Sequence, residues 1–388
     1  MLSGMKIFSG WQRFVFGLPL FFLLAHLFSV MELHKNSKVE EPQKQLNKKF
    51  DHLVLGPIAG QGLSNRLQCQ GKKALNRTHS SESRSGVDGS ITFVTVFTIY
   101  NTSSINDMDD RSNTIVGNAS YNKFGRSMAL LNVFINFIQV AMPQSKVIIL
   151  TDPASDLSVQ RSRVSLYAIQ GDYSRDKLML QRIRSYIAFL ETRLQELPQK
   201  PGDINHYIFT DSDIAVVDDL GQVFRDHPNF HLALTFRNNK AQPLNSGFIA
   251  VKGTPEAILR AKLFLQEVLK VYSTKYRNAS RMLGDQLALA WVVMSNPHFD
   301  PTRFSKALAF SEDIRGTSVL FLPCYLYNWT PPEGAGQFHG MPLDVKVVHF
   351  KGSRKRLMLE SWNFYSSSRE ISDMLCLILG SGRTKYDF

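Results

Sequence analysis

The chain has 388 residues, of which 44% are hydrophobic and 20% are charged, and its net charge is +12 at pH 7. This composition is that of a globular protein with enough apolar mass for one large core or two small ones. The three cysteines exclude a fold built on disulfides, because they allow at most one intramolecular bridge. The basic balance favours nucleic acid, a membrane surface or phosphorylated ligands as partners.

An apolar segment near the N-terminus predicts a membrane anchor. Residues 14–31 carry no formal charge and are just long enough to span a bilayer, which takes roughly 20 residues. Lys6 and Arg13 precede this segment, and a positive flank tends to stay cytosolic. A cleavable signal peptide is the alternative, but it would have a shorter apolar core and an A-x-A-like site. We therefore expect a cytosolic tail over 1–13, a transmembrane signal anchor over 14–31 and a lumenal remainder.

The rest of the chain divides into a stem, one large domain and a tail. Residues 32–90 are mostly polar and predict a stem or linker, residues 91–365 predict the globular domain, and residues 366–388 form a C-terminal extension. Glycosylation sequons begin at Asn76, Asn101, Asn118, Asn278 and Asn328. They agree with a lumenal location, which argues against a nucleic-acid partner.

Apolar strands and amphipathic helices alternate through the large domain. Strands are expected at 91–100, 146–150, 206–210, 231–236, 247–251 and 345–350, and helices at 128–140, 177–197, 256–272 and 284–294. The second helix has an apolar stripe at spacings of three and four residues: Leu180, Ile183, Ile187, Leu190 and Leu194. Buried strands without polar alternation predict an α/β domain with a mostly parallel, Rossmann-like sheet flanked by helices. Ligands of such sheets bind beyond the carboxyl ends of the strands.

Asp211-Ser212-Asp213 follows one of these strands. In an extended segment both carboxylates would face the same side, and their mutual repulsion would be relieved by a hard divalent cation. A simple turn explains the same three residues equally well. His349 ends another apolar strand and is a candidate third ligand, although a structural histidine is the common alternative.

A basic segment follows His349. Gly352 permits close backbone approach. Lys351, Arg354, Lys355 and Arg356 offer cations to a polyphosphate, unless they form only a solvated surface loop.

Six motifs occur in a characteristic order: Thr-Asp-Ser-Asp-Ile at 210–214, Asp-Asp-Leu at 218–220, Val-Phe at 223–224, Asn-Ser-Gly-Phe at 245–248, Gly-Asp-Gln at 284–286 and His-Phe-Lys-Gly-Ser-Arg-Lys at 349–355. Over roughly residues 91–360 this order resembles the retaining, metal-dependent nucleotide-sugar glycosyltransferases of the glycogenin and galacturonosyltransferase-like superfamily. The resemblance implies a GT-A fold. The Pro-Trp that usually follows the terminal lysine is replaced by Arg356-Leu357, so the resemblance does not extend to the acceptor end of the site.

The resemblance also implies roles for single residues. Asp211, Asp213 and His349 would bind Mn²⁺ or Mg²⁺, and Asp285 and Gln286 would be the catalytic pair near the anomeric carbon. Contacts with the nucleotide sugar would come from Thr98, Arg184, Asp211, Ser212, Asp213, Asn245, Ser246, Gly247, Gly352 and Lys355. Arg182 is an alternative to Arg184, and either arginine would otherwise lie on a solvated helix face. Asp285 has a second interpretation, as an acid favoured by a helix N-terminus.

These features together predict a type II Golgi membrane glycosyltransferase with a lumenal catalytic domain. It would transfer a sugar from a nucleotide-diphosphate donor to a glycan, protein or other hydroxyl acceptor, with retention of configuration as in the family it resembles. A membrane-anchored, non-catalytic sugar- or nucleotide-binding module of the same fold is the main alternative. An Asp-x-Asp phosphatase of the haloacid dehalogenase type is a lesser one, because Ala215 stands where that motif has Thr or Val.

Overall fold

A computed structural model describes residues 89–99, 114–116, 119–157, 159–196, 204–279, 282–331, 345–355 and 357–359. All of them belong to one compact unit of the chain. The predicted cytosolic tail, the anchor, nearly all of the stem and the C-terminal extension lie outside the described residues. Among the helices that are described, none is long and apolar enough to cross a membrane.

The described residues form an α/β domain. Strands β1 to β12 span Ser90–Val96, Thr114–Val116, Ala119–Tyr121, Lys146–Thr151, Val164–Ala168, Asn205–Thr210, Ile214–Val216, Leu232–Phe236, Leu244–Val251, Phe310–Ile314, Thr317–Pro323 and Val347–His349. Helices α1 to α6 span Lys123–Ala141, Leu178–Gln195, Gly221–Asp226, Pro255–Val271, Gly284–Met294 and Cys324–Tyr327. Every strand and helix predicted from the sequence is present, with ends shifted by a few residues.

Eight strands form the main sheet in the order β10-β11-β8-β9-β6-β1-β4-β5. The pairs β1–β4, β1–β6, β4–β5 and β8–β11 are parallel, whereas β6–β9, β8–β9 and β10–β11 are antiparallel. The prediction of a mixed, mostly parallel sheet flanked by helices is therefore confirmed. The antiparallel insertion of β9 brings its first residues to the carboxyl end of β6.

Both faces of the sheet are covered, which explains the continuous apolar runs of its strands. In β6, Ile208 packs into a core that contains α1, β7 and β12, whereas Tyr207 and Phe209 pack into a second core that contains residues of α2, α4 and α5. Adjacent residues of one strand point to opposite faces, so each strand contributes to both cores.

Helix α2 is buried over a wider arc than its apolar stripe predicts. Leu180, Ile183 and Leu190 are buried, but Ile187 and Leu194 are only partly buried. A second row with the same spacing, Arg182, Tyr186 and Phe189, is buried as well. The helix therefore carries a charged side chain into the interior of the domain.

Several short elements escaped the prediction. Strand β7 has only three residues, and the edge strand β5 is half exposed, so neither has a long apolar run. Strands β10 and β11 form a hairpin whose two loop residues, Arg315 and Gly316, both have positive φ, at 53° and 77°. That backbone suits a type I′ turn, which matches the twist of the paired strands.

Candidate metal centre

The pairing of two short strands unites the motifs that lie farthest apart in the sequence. The chain leaves β6 at Thr210, turns through the Asp211–Asp213 triplet and enters β7 at once. Strand β12 runs antiparallel to β7 with His349 opposite Ile214, and the backbone N–H of Phe350 donates to the carbonyl of Asp213 at 2.8 Å. This pairing places His349 beside the triplet although well over a hundred residues separate them in the chain.

The triplet is a turn rather than the extended segment expected from the sequence. Both of its carboxylates nevertheless face the same point. Nε2 of His349 lies 3.3 Å from Oδ1 of Asp213 and 3.7 Å from Oδ2 of Asp211. Turn formation and convergence of the two acids are therefore compatible.

This group can hold a metal ion. One ligand atom each from Asp211, Asp213 and His349 lies within 4.8 Å of the other two. Oδ1 of Asp213 is buried and accepts no hydrogen bond from the described residues, which is costly for a carboxylate oxygen unless a cation is present. Two carboxylates and an imidazole are a ligand set that suits a divalent ion.

Gly247 leaves space for this group of ligands. Its carbonyl accepts a hydrogen bond from the backbone N–H of Asp211 at 3.2 Å, which fixes the start of β9 against the triplet. A Cβ atom at this position would lie 2.7 Å from Oδ2 of Asp211 and 2.7 Å from Cε1 of His349. Any side chain here would push the two ligands apart, so the site depends on glycine.

An amide orients His349. Nδ1 of its ring donates to Oδ1 of Asn328 at 2.7 Å, so in the neutral imidazole Nε2 keeps its lone pair towards the aspartates. The amide nitrogen of Asn328 donates to Oδ1 of Asn245 at 2.9 Å and to Oγ1 of Thr235 at 3.1 Å. Asn245 also accepts from the backbone N–H of Gly247 at 2.8 Å. This network ties the imidazole to the glycine that borders the same site.

Asn328 thus has a structural role that the sequence did not reveal. Its Asn-Trp-Thr context predicts a glycosylation site, but the side chain is only 4% exposed and its amide is fully engaged. The fold leaves no room for a glycan there, so the use of this sequon as support for a lumenal location is wrong. Asn278, by contrast, is exposed.

Lys355 supplies a positive charge at the rim. Its Nζ lies 3.2 Å from Oδ2 of Asp213, and its side chain is 48% exposed. Gly352 has a positive φ of 65°, so the chain turns sharply after β12 and Lys355 returns towards the triplet. Burial alone would raise the pKa of the Asp213 carboxyl, but nearby positive charge, chiefly that of Lys355, outweighs burial and holds that pKa well below its usual range. Asp213 is therefore an anion at neutral pH.

Arg182 links the two acidic motifs. Nη1 of Arg182 pairs with Oδ1 of Asp211. Nη2 pairs with Oδ2 of Asp285 and also donates to Oγ of Ser246 at 2.9 Å. Burial tends to lower the pKa of this guanidinium, but Asp211 and Asp285 raise it above its usual value, so it stays charged. Asp211 uses separate oxygens for the arginine and for the metal group.

Of the two arginines that the sequence left open, the structure brings Arg182 to the site. Arg184, the residue expected to bind the nucleotide sugar, is exposed on the outer side of α2. The helical spacing of α2 indicates that Arg182 faces inward. Arg182 precedes Tyr186 and Phe189 by four and seven residues and shares their buried face.

The remaining predicted site residues lie at the same end of the sheet but outside the metal group. Asp285 is in the first turn of α5, as its alternative interpretation expects, and it also pairs with Arg182. The amide nitrogen of Gln286 donates to Oε1 of Gln242 at 3.1 Å. Thr98 lies beyond the end of β1 and its hydroxyl is 2.8 Å from that of Ser155. Ser212 lies between the two aspartates and is partly exposed.

No family model matches this chain, and no curated protein matches it closely enough to count as a relative.

Proposed function

We propose that this chain is a metal-dependent glycosyltransferase with a GT-A-like fold, which transfers a sugar from a nucleotide-diphosphate donor to a hydroxyl acceptor. The observation that carries the proposal is the convergence of Asp211, Asp213 and His349 at the carboxyl end of the sheet, with Lys355 beside them. The motif order resembles that of the retaining glycogenin and galacturonosyltransferase-like enzymes, and we infer retention of configuration from that resemblance.

The charges at the site suit a diphosphate leaving group. Bound Mn²⁺, or Mg²⁺ in its place, would supply the Lewis acidity that neutralises the charge developing on the diphosphate. A histidine ligand favours Mn²⁺, because Mg²⁺ prefers oxygen donors. Lys355 is half exposed at the rim and adds a cation that can contact a phosphate oxygen.

Arg182 and Asp285 act together in this proposal. The carboxylate of Asp285 is 3% exposed and paired with a buried guanidinium, so it is not available as a free nucleophile in this arrangement. Asp285 instead neutralises Arg182, which in turn fixes one oxygen of Asp211 and leaves the other for the metal. We assign both residues as positioning residues of the metal site.

The location that we propose for the enzyme rests on the sequence alone. An anchor at residues 14–31 would make it a single-pass type II protein of the Golgi membrane with the catalytic domain in the lumen. The short apolar span suits the thinner membranes of the early secretory route.

Donor hydrolysis by the full-length protein, with Mn²⁺ and a panel of nucleotide sugars, tests the proposal. We expect Asp213→Asn to lose more activity than the roughly 10–100-fold that follows loss of an outer-shell partner. Asp226→Asn is the matched control, because Asp226 is exposed at the end of α3. Absence of both turnover and Mn²⁺-dependent nucleotide binding would refute the proposal, whereas binding without turnover would favour the non-catalytic module.

A further inference from the structure

A cavity borders the hydrogen-bond network that orients His349. It has a volume of about 210 Å³, and its lining includes Asn245 and Asn328, the two amides that hold each other and orient His349. It is smaller than the roughly 300–1,000 Å³ of pockets that enclose a whole drug-sized ligand. Its size suits one sugar unit or a substituent of one, rather than a nucleotide.

The described lining of this cavity carries two positively charged side chains. Arg237 and Lys351 are its charged residues, and none of the described residues that line it is acidic. The thiol of Cys324 adds no negative charge either, because burial raises its pKa to about 11. The remaining lining residues are Tyr325, Trp329 and Thr330.

Both cations have capacity for a ligand. Nε and Nη2 of Arg237 donate to the carbonyl and to Oε1 of Gln242, each at 2.7 Å, which fixes the guanidinium plane and leaves Nη1 without a partner among the described residues. Lys351 is partly buried and forms no hydrogen bond or ion pair with any described residue. Two like charges around one small cavity are stabilised by an anion that both can contact.

We propose that this cavity binds a carboxylate or phosphate group carried by a sugar ring. Lys351 and Arg237 contact the anionic oxygens, and Trp329 and Tyr325 offer aromatic surface to the ring. The cavity shares Asn245 and Asn328 with the network around the metal site. This assignment of a substrate class therefore rests on the proposed transferase function. The sugar is either the transferred unit of the donor or a unit of the acceptor.

Thermal-shift titrations of the full-length protein test the proposal with D-glucuronate and D-glucose 6-phosphate as probes and D-glucose as the neutral control. We expect at least one of the two acids to bind saturably and glucose to bind far more weakly. Lys351→Gln should weaken the binding of the acid by about 10- to 100-fold, the loss expected for one charge-assisted hydrogen bond. Lys351→Arg should restore most of it, and Arg237→Gln should reproduce the loss.

Lys240→Gln is the matched control, because Lys240 is exposed close to Arg237 in the chain and is not part of the cavity lining. Equal responses to glucuronate, glucose 6-phosphate and glucose, or the same loss with Lys240→Gln as with Lys351→Gln, would overturn the proposal. If Lys351→Gln does not fold, the other two variants test the proposal. Arg237→Gln should weaken the binding of the acid, and Lys351→Arg should keep most of it.

Two further measurements distinguish a donor sugar from an acceptor sugar, and failure of this inference from failure of the proposed function. Acid binding that persists when the protein is saturated with Mn²⁺ and a nucleotide sugar whose sugar unit is neutral assigns the acid to the acceptor. Competition between the two ligands assigns the acid to the donor sugar. Mn²⁺-dependent binding of nucleoside diphosphates is measured in parallel. If that binding is present while the preference for acids is missing, only this inference fails; if nucleotides do not bind, the proposed function fails.

Discussion

Replacement of Asn328 by alanine would remove the amide that orients His349. The variant loses the acceptor for Nδ1 at 2.7 Å and the donors to Asn245 and Thr235 at 2.9 and 3.1 Å. At about 1 kcal/mol for each hydrogen bond, the free energy of unfolding should fall by about 1–3 kcal/mol. Affinity for Mn²⁺ should fall by about 10- to 100-fold, because the imidazole loses the partner that fixes its ring and tautomer.

Calorimetric titration of Mn²⁺ into the full-length protein measures the affinity, and thermal unfolding without metal measures the loss of stability separately. Asn328→Asp is the informative companion, because it keeps an oxygen acceptor for Nδ1 of His349 but loses the amide donors. It should bind Mn²⁺ more tightly than Asn328→Ala. A variant Asn328→Ala that is destabilised but binds Mn²⁺ like the wild type would refute the role of this amide in orienting a metal ligand.

Three further predictions concern Gly247, His206 and the sequons at Asn278 and Asn328. Gly247→Ala should weaken Mn²⁺ binding by about tenfold or more, since its Cβ would lie 2.7 Å from both an aspartate oxygen and the histidine ring of the metal group. Burial, aided by a nearby lysine, lowers the pKa of His206 to about 4. The unfolded chain, with an ordinary pKa near 6.5, then binds more protons, so stability should fall by up to about 3 kcal/mol as the pH drops from about 6.5 to about 4. In a secretory expression host, Asn278 should carry a glycan and Asn328 should not, as mass spectrometry of tryptic peptides will show.

Each of these has an outcome that contradicts it. Unchanged Mn²⁺ affinity in Gly247→Ala would mean that the ligands do not approach the glycine as described. A His206→Asn variant should lose the acid-dependent part of the stability change, whereas His298→Gln, at an exposed position, should keep it; identical pH profiles for all three proteins would exclude His206 as the cause. A glycan on Asn328 would be incompatible with its buried position.

Much of the fold was predictable because long apolar runs report burial directly. Helix α5 has the predicted bounds, Gly284–Met294, and the strand before the aspartate triplet differs by one residue. Strand β7 was not predictable, since three residues carry no usable period and its pairing with β12 depends on a partner far along the chain. The sequence offers a turn as an alternative to a metal site at the triplet, and in the structure the turn brings both carboxylates to the metal group.

The candidate site likewise contains residues that the sequence could predict and residues that it could not. Asp211, Asp213 and His349 could be proposed because acids and a histidine at strand ends are unusual and chemically specific. Asn328 could not, since an asparagine in a sequon has the same letters whether it is a glycan acceptor or a buried amide. Arg182 could not be chosen over Arg184 by residue type, because only the packing of α2 decides which side faces the site.

The sequence by itself determined the long strands and helices of this protein and the residue types that its chemistry needs, because hydrophobic periodicity and side-chain ionisation are local properties. The tertiary structure alone decided which of these groups meet. It placed His349 on the triplet through β12, selected Arg182 as the shared cation of two acidic motifs, and enclosed Arg237 and Lys351 in one cavity. Those contacts join residues remote in the chain, so they depend on strand pairing and helix packing.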